Sequence, residues 1–272
     1  MPHFICETCG TQYAETAEPP RACAICEDER QYVPPGGQTW TTLEKLRARH
    51  ANTWRELEPG LFSITTTPAF GIGERALLVH TPQGNILWDC IALIDSATVR
   101  LIEALGGLSA IAISHPHYYT CMVEWSRAFG GIPVHLHEAD RRWVMRPDPC
   151  LQFWSGATKT LMPGLTLICA GGHYPGGTVL HWAGGAEGRG ALLSGDIVQV
   201  VPDGKSVSFM WSFPNFIPLS APRVEGVAST LTPYDFDRIH GAFDSRTIWR
   251  DGKAVLERSA KRYLDMIRGD GS

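Results

Sequence analysis

The chain predicts a layered α/β sandwich, and three observations carry that expectation. Short apolar runs bounded by turn residues come first, as in hairpins, and are then interleaved with amphipathic helical runs. The 272 residues are 44% hydrophobic and 19% charged, enough to bury a sizeable core and too apolar for a disordered chain. Several of the strand-like runs end in His or Asp.

The elements follow in order. Residues 1–36 hold two Cys-x-x-Cys units and little apolar periodicity, and Pro34-Pro35-Gly36-Gly37 then makes a linker. This places a small module at 1–36 and the main domain at 37–272. A helix is expected over Thr41–Glu56, with Thr41 or Thr42 as its cap, Glu44 in the first turn, and Leu43, Leu46 and His50 at helical spacing. Strands are expected at Leu61–Thr66, Arg75–His80, Asn85–Asp89, Ala110–Ser114, Pro133–His137, Leu165–Ala170, Thr178–Trp182 and Ala191–Ser194. Helices are expected at Ser96–Leu105, Met122–Phe129, Glu138–Val144, Ala221–Leu231 and Lys253–Ile267.

Charge and targeting signals narrow the function classes. Lys and Arg number 24 against 28 Asp and Glu, a net charge of −4 without a charge block. No broad basic surface for nucleic acid or anionic membrane is expected. The start, Met1-Pro2-His3-Phe4-Ile5-Cys6, lacks a basic stretch followed by an apolar one. No run has the length and apolarity of a membrane span. A cytoplasmic protein acting on a small molecule is expected, with self-association left open.

Cys6-x-x-Cys9 and Cys23-x-x-Cys26 are separated by 13 residues. In a reducing compartment such pairs act as metal knuckles rather than disulfides. Two thiolates from each can meet at a tetrahedral centre, and the metal supplies the folding energy that so short a segment lacks. The segment resembles a rubredoxin-like zinc ribbon. Such ribbons hold iron or zinc. Ala24 stands where rubredoxins usually carry Pro, and Glu27 follows Cys26 where they carry Gly, which favours structural zinc over an electron carrier.

In the main domain, Ile111-Ala112-Ile113-Ser114-His115-Pro116-His117 ends an apolar strand with two His at i and i+2, so both imidazoles are expected to leave on one face. Gly171-Gly172-His173 follows another strand, Leu192-Leu193-Ser194-Gly195-Asp196 ends a third in a carboxylate, and Arg238-Ile239-His240-Gly241 places a His near a fourth. Neutral imidazoles suit zinc, iron or copper.

Four strand-end ligands in this order resemble the metallo-β-lactamase superfamily, from about Leu61 to the C-terminus. The resemblance implies a four-layer αββα sandwich with a metal centre at one sheet edge. It maps the first-site histidines onto His115, His117 and His173, the bridging carboxylate onto Asp196, and the last second-site histidine onto His240. The family's His-x-His-x-Asp-His motif is broken here: Tyr119 stands at the Asp and Thr120 at the final His. One well-formed site holding zinc or iron is therefore expected, with Asp196 nearby and the second site weak or vacant. Three His and a water make an open site that can lower the pKa of bound water to about 7. That implies hydrolysis of an ester, thioester, lactone or amide. Tyr119, with an ordinary pKa of about 10, is no base near neutral pH. It either donates a hydrogen bond to an anionic intermediate or plugs the second-site space. Asp89 is expected to support a ligand His. The aromatic stretch containing Met210, Trp211 and Phe213 is expected to roof a substrate pocket, with Trp143, Phe153 and Trp154 as a further wall. Two other readings stand beside the hydrolase: a binding or structural protein with a degenerate site, and an iron redox protein.

Overall fold

The structure is a computed structural model and describes residues 1–269. The chain divides into two compact units, 1–154 and 155–272.

The amino-terminal unit opens with the cysteine segment. β1 (Ile5–Cys6) pairs antiparallel with β2 (Trp40–Thr41), Ile5 opposite Thr41, so the loop between them is closed at its base. That loop carries α1 (Ala24–Glu27). α2 is short, Leu43–Arg47, with Thr42 accepting from the Lys45 N–H as its cap. The helix expected as far as Glu56 stops there, and Ala51–Glu58 is strand β3 instead. Its residues pair with β4 (Leu61–Thr67) from Ala51↔Thr67 to Glu58↔Leu61 across the Pro59-Gly60 turn. Hairpin pairing outweighs a modest helical spacing because strand preference is decided by cross-strand partners.

β5 (Arg75–Thr81) and β6 (Gly84–Trp88) continue the antiparallel run. α3 (Ser96–Ala104) is capped by Asp95, whose Oδ1 accepts from the Thr98 N–H at 2.7 Å, and it turns Ile102 inward. β7 (Ala110–Ala112) then joins parallel to β6. α4 (Met122–Ala128), β8 (Val134–His137) and β9 (Leu151–Trp154) complete a seven-stranded sheet in the order β3-β4-β5-β6-β7-β8-β9. The expected helix at 138–144 is a 3₁₀ segment, Glu138–Trp143, and β9 was not foreseen. The inward strand residues, such as Leu77, Leu87 and Ile111, are at most 2% exposed. Each contributes about 1.5–3 kcal/mol by its burial.

The carboxy-terminal unit begins with a meander of β10 (Thr158–Met162), β11 (Leu165–Cys169), β12 (Thr178–Trp182) and, after the one-turn α5 (Gly185–Gly188), β13 (Ala191–Gly195). Two hairpins follow: β14 (Gln199–Val200) with β15 (Val207–Ser208), and β16 (Met210–Ser212) with β17 (Ile217–Pro218). α6 (Ala221–Leu231) turns Val224, Val227 and Leu231 inward at helical spacing. β18 (Arg238–Gly241) returns parallel to β13 and pairs with β19 (Thr247–Ile248), closing a six-stranded sheet β10-β11-β12-β13-β18-β19. α7 (Gly252–Arg268) buries Val255, Leu256 and Ala260 and ends at Gly269 with φ +82°. Its apolar face and that of α6 share one cluster with Phe209, Ile239 and Leu192.

Candidate metal centres

The cysteine module comes first in the chain. Cys6, Cys9, Cys23 and Cys26 are all buried, and their sulfurs lie within 4.8 Å of one another. Cys6 Sγ is 3.6 Å from Cys26 Sγ, and Cys9 Sγ is 3.6 Å from Cys23 Sγ. A zinc–sulfur bond of about 2.3 Å gives a tetrahedral edge of about 3.8 Å, so the sulfurs are spaced for one ion and far too widely for disulfides. The Gln38 side-chain amide donates to Cys6 Sγ at 3.0 Å. Hydrogen bonding among the sulfurs, Cys23 foremost, pulls the Cys6 thiol far below the usual thiol range, while complete burial pushes Cys9 up. Four thiolates at this spacing repel each other unless a cation lies among them.

The second centre is built from strand ends. β7 delivers His115 in extended conformation. The next three residues, Pro116–Tyr118, form a 3₁₀ turn rather than further strand, with Pro at its first position. The turn still brings the His115 and His117 rings to 4.9 Å. Ser114 Oγ lies 2.9 Å from His115 Nδ1, and Asp89 Oδ1 accepts from the Ser114 N–H at 2.7 Å.

In the other unit, Gly171 and Gly172 take φ of +67° and +83°, and His173 follows. His173 Nδ1 lies 3.1 Å from the Met210 carbonyl, and the Phe213 ring packs against its imidazole at 5.7 Å. The aromatic hairpin is thus fastened to His173 through two of the three residues expected there. Asp196 sits just past the end of β13 and is 3% exposed. One ligand atom from each of His115, His117, His173 and Asp196 lies within 4.8 Å of the others, and all four residues are buried. His240 is not in that group. It is fully buried on β18, with Nδ1 3.4 Å from Thr247 Oγ1 and its ring edge-on to Trp249. Tyr119 and Thr120 are 2% and 3% exposed, and Thr120 has φ +23°.

Other histidines, aromatic residues and arginines of the two units have identifiable surroundings. The His137 ring stands edge-on to Trp154 at 4.6 Å, and His80 Nδ1 lies 2.7 Å from Asn85 Oδ1. Arg141 pairs with Glu138 and stacks on Phe153, beside a cavity of about 550 Å³ that Phe153 lines, with neither Trp143 nor Trp154 among the lining residues. Trp211 opens on a pocket of about 280 Å³ shared with Pro218, Leu219, Ser220 and Arg223. The Arg223 guanidinium lies 4.7 Å over the Trp211 ring and donates to the Gly172 carbonyl at 3.4 Å. Sequence reasoning passed over Arg223 and Ser114. Nothing in the spacing marks Arg223, whereas Ser114 is legible as the hydroxyl next to a ligand-type histidine.

No family model matches the chain. It is 48% identical over 272 residues to the uncharacterized protein YmaE of Bacillus subtilis (strain 168), covering 99% of this chain and 98% of that one. Among solved structures it is similar to the metallo-β-lactamase DIM-1, with TM-score 0.59, 13% identity, and coverage of 79% of this chain and 98% of that one. It is also similar to the metallo-β-lactamase FIM-1 from Pseudomonas aeruginosa in its mono-zinc form, with TM-score 0.56, 17% identity, and coverage of 79% and 96%. These likenesses show the fold: α/β of the metallo-β-lactamase type, as expected from the sequence; the four-cysteine cluster at the amino terminus stands in this chain's own structure. No helix among the described residues is long and apolar enough to cross a membrane.

Proposed function

The chain belongs to the same family as YmaE of Bacillus subtilis, and from that footing we propose that it is a metal-dependent hydrolase with one catalytic ion and one structural zinc. His115, His117 and His173 hold the catalytic ion, zinc or iron, and Asp196 completes its shell. The four cysteines hold the zinc. The observation that carries this reading is the gathering of four buried ligand atoms within 4.8 Å.

The donor set fits such an ion. Ser114 Oγ and the Met210 carbonyl engage the Nδ1 atoms of His115 and His173. Each contact orients its ring and assigns Nε2 to coordination. A metal in an open His-rich shell acts as a Lewis acid and makes water nucleophilic near neutral pH. The buried Tyr119 hydroxyl is assigned to donate toward the oxyanion that develops on an attacked carbonyl. The Met210–Phe213 segment and the Trp211 pocket receive the apolar part of an ester, thioester, lactone or amide. Arg223, stacked on Trp211, adds a cation there and favours an acyl group that carries its own carboxylate.

A metal-retaining structural protein is the second reading, and the replacement of Asp and His by Tyr119 and Thr120 favours it. Zinc-loaded protein is assayed against a panel of an aryl ester, a thioester, a lactone and a β-lactam. At least one is expected to turn over, and His173→Ala is expected to abolish that turnover while the cysteine-bound zinc stays in place. Occupied His site without turnover across the panel would sink the hydrolase and leave the structural reading. Iron with thiolate charge-transfer colour would point to redox chemistry.

A further inference from the structure

The loop carrying His115 and His117 ends at Thr120, and the cysteine segment holds it there. The Gln12 main-chain N–H donates to the Thr120 carbonyl at 3.1 Å. The Gln12 side-chain oxygen accepts from Nη1 of buried Arg146, and the same nitrogen reaches Glu124 Oε1 at 2.5 Å on α4, the helix that follows the loop. The Ala14 N–H donates to the Met145 carbonyl at 3.1 Å, beside that arginine. Gly10, immediately after Cys9, has φ +76°, and a methyl group on it would stand 3.3 Å from both Thr120 Cγ2 and Ala92 Cβ. Gly10 is tied to the sulfurs in turn, because its N–H donates to the Cys6 carbonyl at 2.9 Å.

Thr120 stands where the resemblance puts a second-site histidine. Its left-handed φ of +23° is one a β-branched residue resists. Such a conformation persists only where the surroundings over-determine it. Here the surroundings are Gly10, Gln12 and Ala92. The Thr120 methyl therefore lies against the module's backbone at Gly10.

We propose that the cysteine module is the positioning element of the histidine-bearing loop: it fills the corner where the ligands of a second ion would lie, limits the centre to one ion, and makes the affinity of the His site depend on the module. This rests on the reading of His115, His117, His173 and Asp196 as a metal site. Gln12, Gly10 and Arg146 are positioning residues, acting through Thr120 and α4 rather than on the metal. Partners that orient ligands from behind typically change metal affinity by about 10–100-fold when removed.

The test uses the full chain with zinc in the cysteine site and cobalt(II) titrated into the His site, followed by visible absorption. The unmodified protein is expected to take one cobalt per chain. Gln12→Ala cuts the tie to Arg146 and leaves every sulfur in place. It is expected to keep its zinc, to remain folded with a somewhat lower unfolding midpoint, and to bind cobalt about tenfold more weakly. Arg146→Lys, which retains the charge but not the fork, is expected to do the same should Gln12→Ala fold poorly. Unchanged cobalt affinity in a folded variant would overturn the proposal, as would two cobalt ions per unmodified chain. Failure of the unmodified protein to take cobalt into the His site would remove the hydrolase reading as well, so the two failures are told apart.

Discussion

Asp89 Oδ1 accepts the main-chain N–H of Ser114 at 2.7 Å, one residue before His115. The carboxylate therefore steadies the backbone leading into His115, with Ser114 Oγ 2.9 Å from the ring as the next link. Asp89 also has φ +60°, a conformation Asp and Asn tolerate far better than Ala. Asp89→Ala leaves a buried N–H unsatisfied and strains the backbone, at a cost of about 3 kcal/mol together. Asp89→Asn keeps an acceptor and the conformation and is expected to cost about 1 kcal/mol. Urea unfolding of the two variants checks this order, and equal losses would refute it.

The loop bearing His173 closes on Gly177. The Gly177 carbonyl accepts from both the Ala170 and Gly171 N–H groups at 2.9 Å. A Cβ on Gly177 would fall 2.2 Å from the Gly171 carbonyl oxygen and 2.7 Å from Ile197 Cδ1. Gly177→Ala is therefore expected to destabilise by about 3 kcal/mol, in the range of overpacking. It should also weaken metal at the His site while the cysteine zinc remains. Thermal unfolding with metal analysis decides it.

The isolated thiols should differ in reactivity. Burial raises Cys90 and Cys121 well above the ordinary thiol range and pushes Cys150 up to about 11, whereas Cys169 is partly exposed. The thiolate is the reactive form. Brief alkylation of zinc-loaded protein at mildly alkaline pH is expected to label Cys169 first, as read by peptide mass. Early labelling of Cys121 would contradict the packing around α4.

Asp237 links β18 to α7. Its Oδ1 accepts from the Asp251 N–H at 2.8 Å and its Oδ2 from Arg189 at 3.1 Å. The Asp251 hydrogen bond, foremost, holds the carboxyl below the usual carboxylate range. A carboxylate lowered by folding contributes stability above its unfolded pKa, about 3.9, and loses it as pH falls through the folded value. Asp237→Asn should therefore unfold more easily than the unmodified protein at pH 7, and the gap should narrow below pH 4 or so. A gap that stays constant down to acid pH would rule this out.

Eight strands of the two sheets, β4 to β8 and β11 to β13, are legible because their apolar runs are short, rich in branched residues and bounded by turn residues, whereas β3, β9, β10 and β19 carry no such run. The residues of the His and Asp cluster are legible for a related reason: His115, Asp196 and the Gly171-Gly172-His173 turn all stand where an apolar run stops. Ala51–Glu58 misled because Leu43, Leu46 and His50 do begin a helix, and only the partner strand across Pro59-Gly60 ends it. The residues Pro116–Tyr118 form a 3₁₀ turn where the sequence pattern suits continuing strand, since period two and a tight turn both bring i and i+2 near each other. The grip of Gln12 on Thr120 joins positions far apart in the chain through main-chain atoms, and no residue pattern encodes such a contact.

The pairing of Ile5 with Thr41 shuts the cysteine loop using only the first forty-one residues. During synthesis, which runs from the amino terminus, all four sulfurs and both short strands clear the ribosome long before His115 is made. A metal held by the four cysteines would thus be in place as a template before the histidine loop exists, and the order of translation would become the order of metal loading.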